Sequence, residues 1–144
     1  MSCVLLLAAD KPLPLCDERG EVTHTVTVQG KAYTVTAMGG FSVNDHRYYR
    51  HAVEKLGYEM KPFQYELDLR PVQEDLEPFK AYMERQFSSG EEVQLWNLWV
   101  GNAPGPLTCL RGEWKDFDLD TLKQFDRPGG YINAPGQCRM TLIF

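Results

Sequence analysis

The sequence predicts an α+β fold in which one mixed or antiparallel sheet of about six to seven strands carries three helices. Two patterns predict the sheet. Residues 3–9 are apolar without interruption, which is typical of a strand buried on both faces. Residues 63–70 alternate between apolar and polar side chains, as a strand does when one face is exposed. Apolar residues at helical spacing predict the helices, near residues 44–57, 76–87 and 119–125.

A hairpin is predicted between the first strand and the first helix. Residues 23–28 and 31–36 are rich in threonine and valine, which favour strands. The Gln29-Gly30 pair between them can form the turn, because glycine readily adopts a positive φ. Threonine alternates with valine, so we expect one face of the hairpin to be exposed to water.

The first helix is expected to contain an unusual cluster of basic and aromatic residues. Residues 41–51 read Phe-Ser-Val-Asn-Asp-His-Arg-Tyr-Tyr-Arg-His. The helix should begin near Asn44, with Ser42 or Asn44 as its cap, and end at Gly57. Its buried stripe is expected to comprise Tyr49, Val53 and Leu56, with Ala52 beside them.

From residue 63 onward the predicted order is strand, helix, strand, strand, helix, strand. The first of these helices should start after Asp75, because Pro78 is tolerated only in a first turn. This order is that of a ferredoxin-like unit over 63–144, which the N-terminal strand, hairpin and first helix would extend. The remaining strands are predicted at 93–100, where Trp96 and Trp99 point to opposite faces, at 107–114 and at 138–144.

Length and composition limit the classes of protein to consider. A chain of 144 residues is expected to form one compact domain, 1–144. Its net charge of −5 argues against nonspecific binding of nucleic acid, which depends on lysine and arginine. No segment approaches the ~20 apolar residues of a membrane helix, so no membrane partner is expected.

The four cysteines are scattered, which favours free thiols in a reducing cytoplasm over a disulfide framework. Cys3, Cys109 and Cys138 fall in predicted strands, where we expect each to be a small buried apolar residue. Cys16 lies in a predicted loop beside Asp17 and Glu18, whose charges oppose formation of a thiolate.

No short motif of a common enzyme class occurs in the chain, neither a phosphate loop nor a dinucleotide fingerprint nor G-x-S-x-G nor H-E-x-x-H. Residues 116–120 begin like a calcium loop, but Thr121 and Arg127 stand where glycine and glutamate are required. We interpret these acids as a cap on the third helix. The sequence therefore predicts no catalytic residue, metal site or cofactor, and leaves enzymatic activity uncertain.

Two charged regions are candidates for binding. Residues 64–92 contain eight acids and three bases. The net charge of this region is therefore −5, the same as that of the whole chain. The first helix should present a basic face to solvent, suited to an anion or an acidic partner. The alternative is a solvated face on which Arg50 pairs with Glu54. The basic face comprises Arg47, His51 and Lys55 at helical spacing, with His46 and Arg50 close by.

A pocket is the third candidate. Asn97 lies among large apolar residues and, together with Trp99 and Tyr65, could line a ligand site that the glycine-rich segment 127–133 would cover. The alternative is that Asn97 bonds to backbone within the core.

The function predicted from these features is that of a small stand-alone cytosolic binding protein. Its partner is expected to be another protein, bound through the basic helix face and the acidic region, and self-association is also possible. The alternative is a binding protein or enzyme for a small anionic ligand, with the pocket of Tyr65, Asn97 and Trp99 next to the basic helix.

Overall fold

The computed structural model describes residues 2–101, 105–127 and 136–144, so most of the segment 127–133 lies outside the described residues. The predicted α+β class is confirmed, with a mixed sheet of seven strands and three helices in the described part of the chain. The strands are β1 (Ser2–Ala9), β2 (Cys16–Asp17), β3 (Gly20–Val28), β4 (Lys31–Gly39), β5 (Ser42–Asp45), β6 (Phe63–Asp68), β7 (Glu92–Val100), β8 (Leu107–Glu113) and β9 (Gln137–Ile143). The helices are α1 (Arg50–Glu54), α2 (Gln73–Gln86) and α3 (Leu119–Asp126), and a 3₁₀ turn covers Trp114–Asp116.

The main sheet has the strand order β2-β5-β6-β1-β7-β9-β8, and only β8 and β9 run parallel to each other as neighbours. β1 lies at the centre, where Leu6 pairs with Glu66 of β6 on one side and with Trp96 of β7 on the other. Leu6, Leu7 and Ala8 are completely buried, which confirms that this strand is covered on both faces.

The element order predicted from residue 63 onward is confirmed, but the strand pairing is not that of a ferredoxin-like unit. β6, α2 and β7 form a β-α-β unit whose two strands are separated by β1. β8, α3 and β9 form a second unit whose strands are direct neighbours. The two units therefore stand side by side instead of interleaving, because the wholly apolar β1 occupies the middle of the sheet.

The predicted hairpin is confirmed, including its turn, where Gln29 has φ 51 and Gly30 has φ 76. We expected the hairpin to extend the main sheet. Instead, it forms a separate sheet of two strands, β3 and β4. Val26 pairs with Tyr33, and Thr25 pairs with Thr34. Since paired residues share a face, valine and tyrosine lie on one side of the hairpin and threonine lies on the other.

The prediction of a helix from Asn44 to Gly57 is wrong at its beginning. Ser42–Asp45 is strand β5, and the helix is limited to Arg50–Glu54. Val43 of β5 pairs with Leu67 of β6 and is completely buried. Pairing and burial of Val43 outweigh the local preference of serine and asparagine for a helix cap. The polar loop predicted before the hairpin likewise contains strand β2, which pairs with β5.

We predicted that Pro78 lies in the first turn of its helix. Helix α2 begins at Gln73, however, so Pro78 lies beyond the first turn. Proline cannot donate the hydrogen bond that the carbonyl of Glu74 would otherwise receive. The backbone N–H of Gly40 donates to this carbonyl instead, at 3.3 Å. The proline is therefore tolerated because a neighbouring segment replaces its missing donor.

The two faces of the sheet carry separate cores. Helices α2 and α3 cover one face, through residues such as Phe79 and Phe125, which pack with Leu95 of β7. Helix α1 and the chain that follows it cover the other face, where Val53 packs with Trp96. None of the described helices is long and apolar enough to cross a membrane.

A buried carboxylate joins the hairpin, β6 and α2. Asp75 is 2% exposed, and its Oδ1 accepts hydrogen bonds from Gly40 N at 3.1 Å and from Arg70 Nη2 at 2.9 Å. Its Oδ2 accepts from Arg70 N at 2.9 Å and from Arg70 Nε at 3.1 Å. The buried charge is therefore hydrogen-bonded on both oxygens, as its stability in the interior requires.

We predict that Asp75→Asn lowers the free energy of unfolding by about 1.5–3 kcal/mol, because hydrogen bonds to a charged acceptor are replaced by weaker ones. Urea unfolding measures the loss. The control is Glu77→Gln, an exposed residue of the same helix with the same change of charge, which should alter stability by less than about 0.5 kcal/mol. Equal losses in the two variants would contradict the structural role of Asp75.

Candidate functional site

The residues from Asp45 to Lys55, here called the 45–55 segment, contain most of the predicted binding residues. The segment leaves β5, turns, and forms α1. Arg47 N donates to Asp45 O at 3.0 Å in the turn, and Val53 N donates to Tyr49 O at 2.9 Å at the start of the helix. Val53 is buried against the sheet and fixes α1 in place. Since α1 has five residues, its N-terminus does not form the anion site that we expected from a long helix.

We predicted that His46 lies near an exposed basic face. The residue is instead buried, with 4% of its surface exposed. Its Nδ1 lies 3.0 Å from Glu66 Oε2 of β6, and the same oxygen accepts a hydrogen bond from Tyr49 N at 3.2 Å. Glu66 thus holds both ends of the turn, while His46 Nε2 is buried without a hydrogen-bond partner in the described part of the chain. The sequence indicated nothing of this role, because Glu66 follows the ordinary alternation of β6.

Several side chains of the turn and helix project into solvent. Tyr48 is 84% exposed, more than any other large apolar or aromatic residue described. Arg47 and Arg50 on either side of it are also exposed, and each pairs with an acid of its own segment. The Arg50–Glu54 pair, at 3.2 Å, is the pairing that we considered as the alternative to binding. His51 and Lys55 are exposed as well.

These exposed ion pairs cost little to break. An exposed pair contributes about 0–1 kcal/mol, so Arg47 and Arg50 can exchange Asp45 and Glu54 for acids of another molecule. Tyr48 was not among the residues predicted for the site. Its position between two arginines, outside the stripe of Tyr49 and Val53, is the sequence signal that distinguishes it.

The structure does not bring Tyr65, Asn97 and Trp99 next to the basic residues. Tyr65 belongs to the core between the sheet and α2, and Asn97 and Trp99 lie on the same face by alternation along β7. Helix α1 covers the opposite face, where Val53 packs. The sheet therefore separates the residues of the predicted pocket from the basic helix beside which we expected them.

Asn97 is completely buried and its polar atoms are bonded within the protein. Its Nδ2 donates to the carbonyls of Phe125 and Asp126, at 3.0 and 2.9 Å, and Cys3 Sγ donates to its Oδ1 at 3.0 Å. The hydroxyl of Tyr65 accepts from Leu13 N at 2.7 Å. Asn97 thus fastens the end of α3 to β7, which was the alternative interpretation of this residue.

One open cavity of about 300 Å³ borders the 45–55 segment near Tyr49. Its charged lining residues are the carboxylates Glu66 and Asp68, and Asn44 also lines it. Among its described lining residues none is cationic, so the cavity offers no basic side chain of its own to the small anionic ligand that we considered as the alternative.

The acids of residues 64–92 do not form one surface. Asp75 is buried, Glu66 is bonded to His46, and others are paired with bases from distant parts of the chain. The pairs are Asp68 with Arg19, Glu91 with Lys11, and Glu92 with Arg111, at 2.9, 2.9 and 2.7 Å. The acidic region is thus largely neutralised by its surroundings, although the count of charges in the sequence was correct.

All four cysteines are free, but only Cys138 is buried as predicted, whereas Cys3 and Cys109 are exposed residues of β1 and β8. The Sγ of Cys3 points inward to Asn97, and burial together with the nearby Asp126 carboxylate raises the pKa of this thiol to about 11. Burial likewise raises the pKa of Cys138 to about 11, with a smaller effect of Cys109. Neither thiol is a competent nucleophile near neutral pH.

The acidic cap on α3 is confirmed, since Asp118 Oδ1 accepts hydrogen bonds from Thr121 N at 2.9 Å and from Thr121 Oγ1 at 2.8 Å. Over residues 2–101, 105–127 and 136–144, no group of three or more histidine, cysteine, aspartate and glutamate side chains could hold a metal ion.

No family model, curated protein or solved structure matches the chain.

We predict that Glu66→Ala lowers the free energy of unfolding by about 1–3 kcal/mol, because His46 and the Tyr49 amide lose their shared acceptor. Urea unfolding measures the loss, and faster hydrogen exchange of the Tyr49 amide locates it. The control is Asp68→Ala on the same strand, whose exposed pair with Arg19 contributes about 0–1 kcal/mol. Equal losses in both variants would contradict the anchoring role of Glu66.

We also predict that iodoacetamide at pH 8 modifies Cys3 at least tenfold more slowly than the exposed Cys109. Burial raises the pKa of the Cys3 thiol to about 11, so its thiolate fraction at pH 8 is small, and its Sγ points inward to Asn97. Mass spectrometry of timed digests gives both rates, and the urea-unfolded protein is the control in which they should become similar. Equal rates in the folded protein would show that the Cys3 thiol is not shielded.

Proposed function

We propose that this protein binds another protein through the 45–55 segment. The observation that supports this proposal is Tyr48, 84% exposed between two exposed arginines. Tyrosine and arginine are the residue types that dominate the energy of protein interfaces. The Tyr48 ring contacts the ring of Tyr49, with centroids 4.8 Å apart, and leaves most of its surface open to a partner.

The way in which the segment is held also supports binding. Glu66 fixes the turn through His46 and the Tyr49 amide, and Val53 fixes α1 against the sheet. A partner that docks on Tyr48 therefore orders few additional degrees of freedom, which reduces the entropic cost of association. Tyrosine itself loses little side-chain entropy on binding, since it has two side-chain torsions.

The charges of the segment indicate an acidic partner surface. Arg47, Arg50, His51 and Lys55 belong to the same segment as Tyr48 and are exposed to solvent. Acids of a partner would replace Asp45 and Glu54 as counter-charges and would speed the encounter at low ionic strength. The dispersed acids of residues 64–92 are not needed for this mode of binding.

We further propose the reducing cytoplasm as the compartment in which this binding takes place. The four cysteines are free thiols, and two of them belong to exposed residues. Free thiols persist in reducing compartments, whereas oxidising compartments favour disulfides.

The test is affinity capture with the purified protein as bait, followed by quantitative mass spectrometry. We predict that Tyr48→Ala and the double variant Arg47→Glu/Arg50→Glu both lose the same bound protein. A tyrosine at the centre of an interface contributes at least 2 kcal/mol, so its loss should weaken binding about 30-fold.

The control is the double variant Lys115→Glu/Lys123→Glu, which makes the same change of charge at two exposed lysines elsewhere. It should retain the partner. Tyr48→Ala carries no change of charge and so separates specific docking from general attraction. A bait whose bound proteins are the same in the wild type and in Tyr48→Ala would overturn the proposal.

A further inference from the structure

The hairpin of β3 and β4 presents an apolar surface, which we call the valine face. The register of the two strands places Val22, Val26, Val28, Tyr33, Val35 and Ala37 on one side, where His24 holds the middle position of β3 and Lys31 lies at the turn. Val28 is 53% exposed and Tyr33 is 50% exposed. The opposite side is lined by threonines, and Thr23 Oγ1 lies 3.2 Å from Thr36 Oγ1 on it. The hairpin is therefore amphipathic, with its apolar side open to solvent near the turn.

This surface requires an explanation, because a sheet of two strands is marginally stable in water on its own. The base of the hairpin is well attached, since Arg70 Nη2 donates to Met38 O at 2.6 Å and Gly40 is bonded to Asp75. The exposed Val28 and Tyr33 lie toward the other end, beside the turn. A second layer packed on the valine face would supply the burial that the two strands lack.

We propose that a second copy of this chain supplies the second layer, with two hairpins packed face to face and antiparallel about a twofold axis. A twofold contact joins one patch to itself, so the patch must complement itself. The valine face meets this condition, because apolar residues lie on both sides of the central His24, toward the turn and toward the base. Two sheets packed in this way lie about 10 Å apart. This proposal concerns a different surface from the 45–55 segment and does not depend on it.

The distribution of charge along the hairpin selects the antiparallel arrangement. Lys31 lies at the turn, on the valine face by register with Val28. Glu74 lies at the base on the same side, because a Cβ added to Gly39 would come within 2.8 Å of Glu74 Cβ and 3.0 Å of Val22 Cγ2. The turn and the base are about 30 Å apart, the length of nine residues in a strand.

In the antiparallel arrangement, the turn of each hairpin lies over the base of the other. Lys31 of each copy then approaches Glu74 of the second copy, which gives two contacts between opposite charges. In a parallel arrangement Lys31 would approach Lys31, which is unfavourable. The polarity of the hairpin thus complements itself in one orientation only.

The size of the valine face predicts a weak dimer. A face about 30 Å long and about 10 Å wide offers about 300 Å² per copy, whereas a standard interface buries about 800 Å² per partner. We therefore expect a weak dimer that dissociates on dilution.

Sedimentation velocity over a range of concentrations tests the proposal on the full chain. The wild type should dimerise, and Tyr33→Lys should raise the dissociation constant at least tenfold. The control is Thr34→Lys, a neighbouring exposed position on the threonine side of the same strand, which should change it less than twofold. A wild type that remains monomeric up to about 1 mM, or equal effects of the two variants, would overturn the proposal.

A charge exchange tests the orientation, and it also covers the case in which Tyr33→Lys disturbs the hairpin. Lys31→Glu and Glu74→Lys should each weaken the dimer, because each places like charges at both contacts. An equimolar mixture of the two variants should dimerise again, because both contacts then join opposite charges. A mixture that stays monomeric while the wild type dimerises would overturn the antiparallel arrangement.

Discussion

The carboxylate of Asp75 is the interaction on which one end of the molecule depends. It lies within the first turn of α2, yet it accepts from the chain that leaves the hairpin, at Gly40, and from the chain that leaves β6, at Arg70. A buried charge without these donors would cost several kcal/mol. The donors therefore fix three segments relative to one another, and the same geometry brings Gly40 to the Glu74 carbonyl that Pro78 leaves free.

The second constraint is the wholly apolar β1. A strand with no polar face can lie only where both of its faces are covered, so β1 separates β6 from β7. This position explains why the order of elements along the chain resembled one topology and the order in the sheet follows another. Periodicity reports which faces are buried, whereas the choice of neighbours is made by contacts between distant residues.

The same distinction decides how much of the site could be predicted from the sequence. The hairpin, the turn at Gln29-Gly30 and the cap at Asp118 depend on neighbours in the chain, and they were predicted correctly. Strand β5 depends on its pairing with β6, so Ser42–Asp45 was interpreted as the start of a helix. The bond between His46 and Glu66 joins residues twenty positions apart, and no local pattern records it.

The two proposed surfaces differ in their physics, and this difference allows them to act together. Binding through the 45–55 segment depends mainly on charge and weakens with salt, whereas association through the valine face combines apolar area, which salt affects little, with the two Lys31–Glu74 contacts, which salt screens. They also face apart, since α1 covers one side of the main sheet and the valine face turns toward the side of α2. A dimer would therefore present two copies of Tyr48, and a partner with repeated acidic sites would bind it with higher avidity than it binds the monomer.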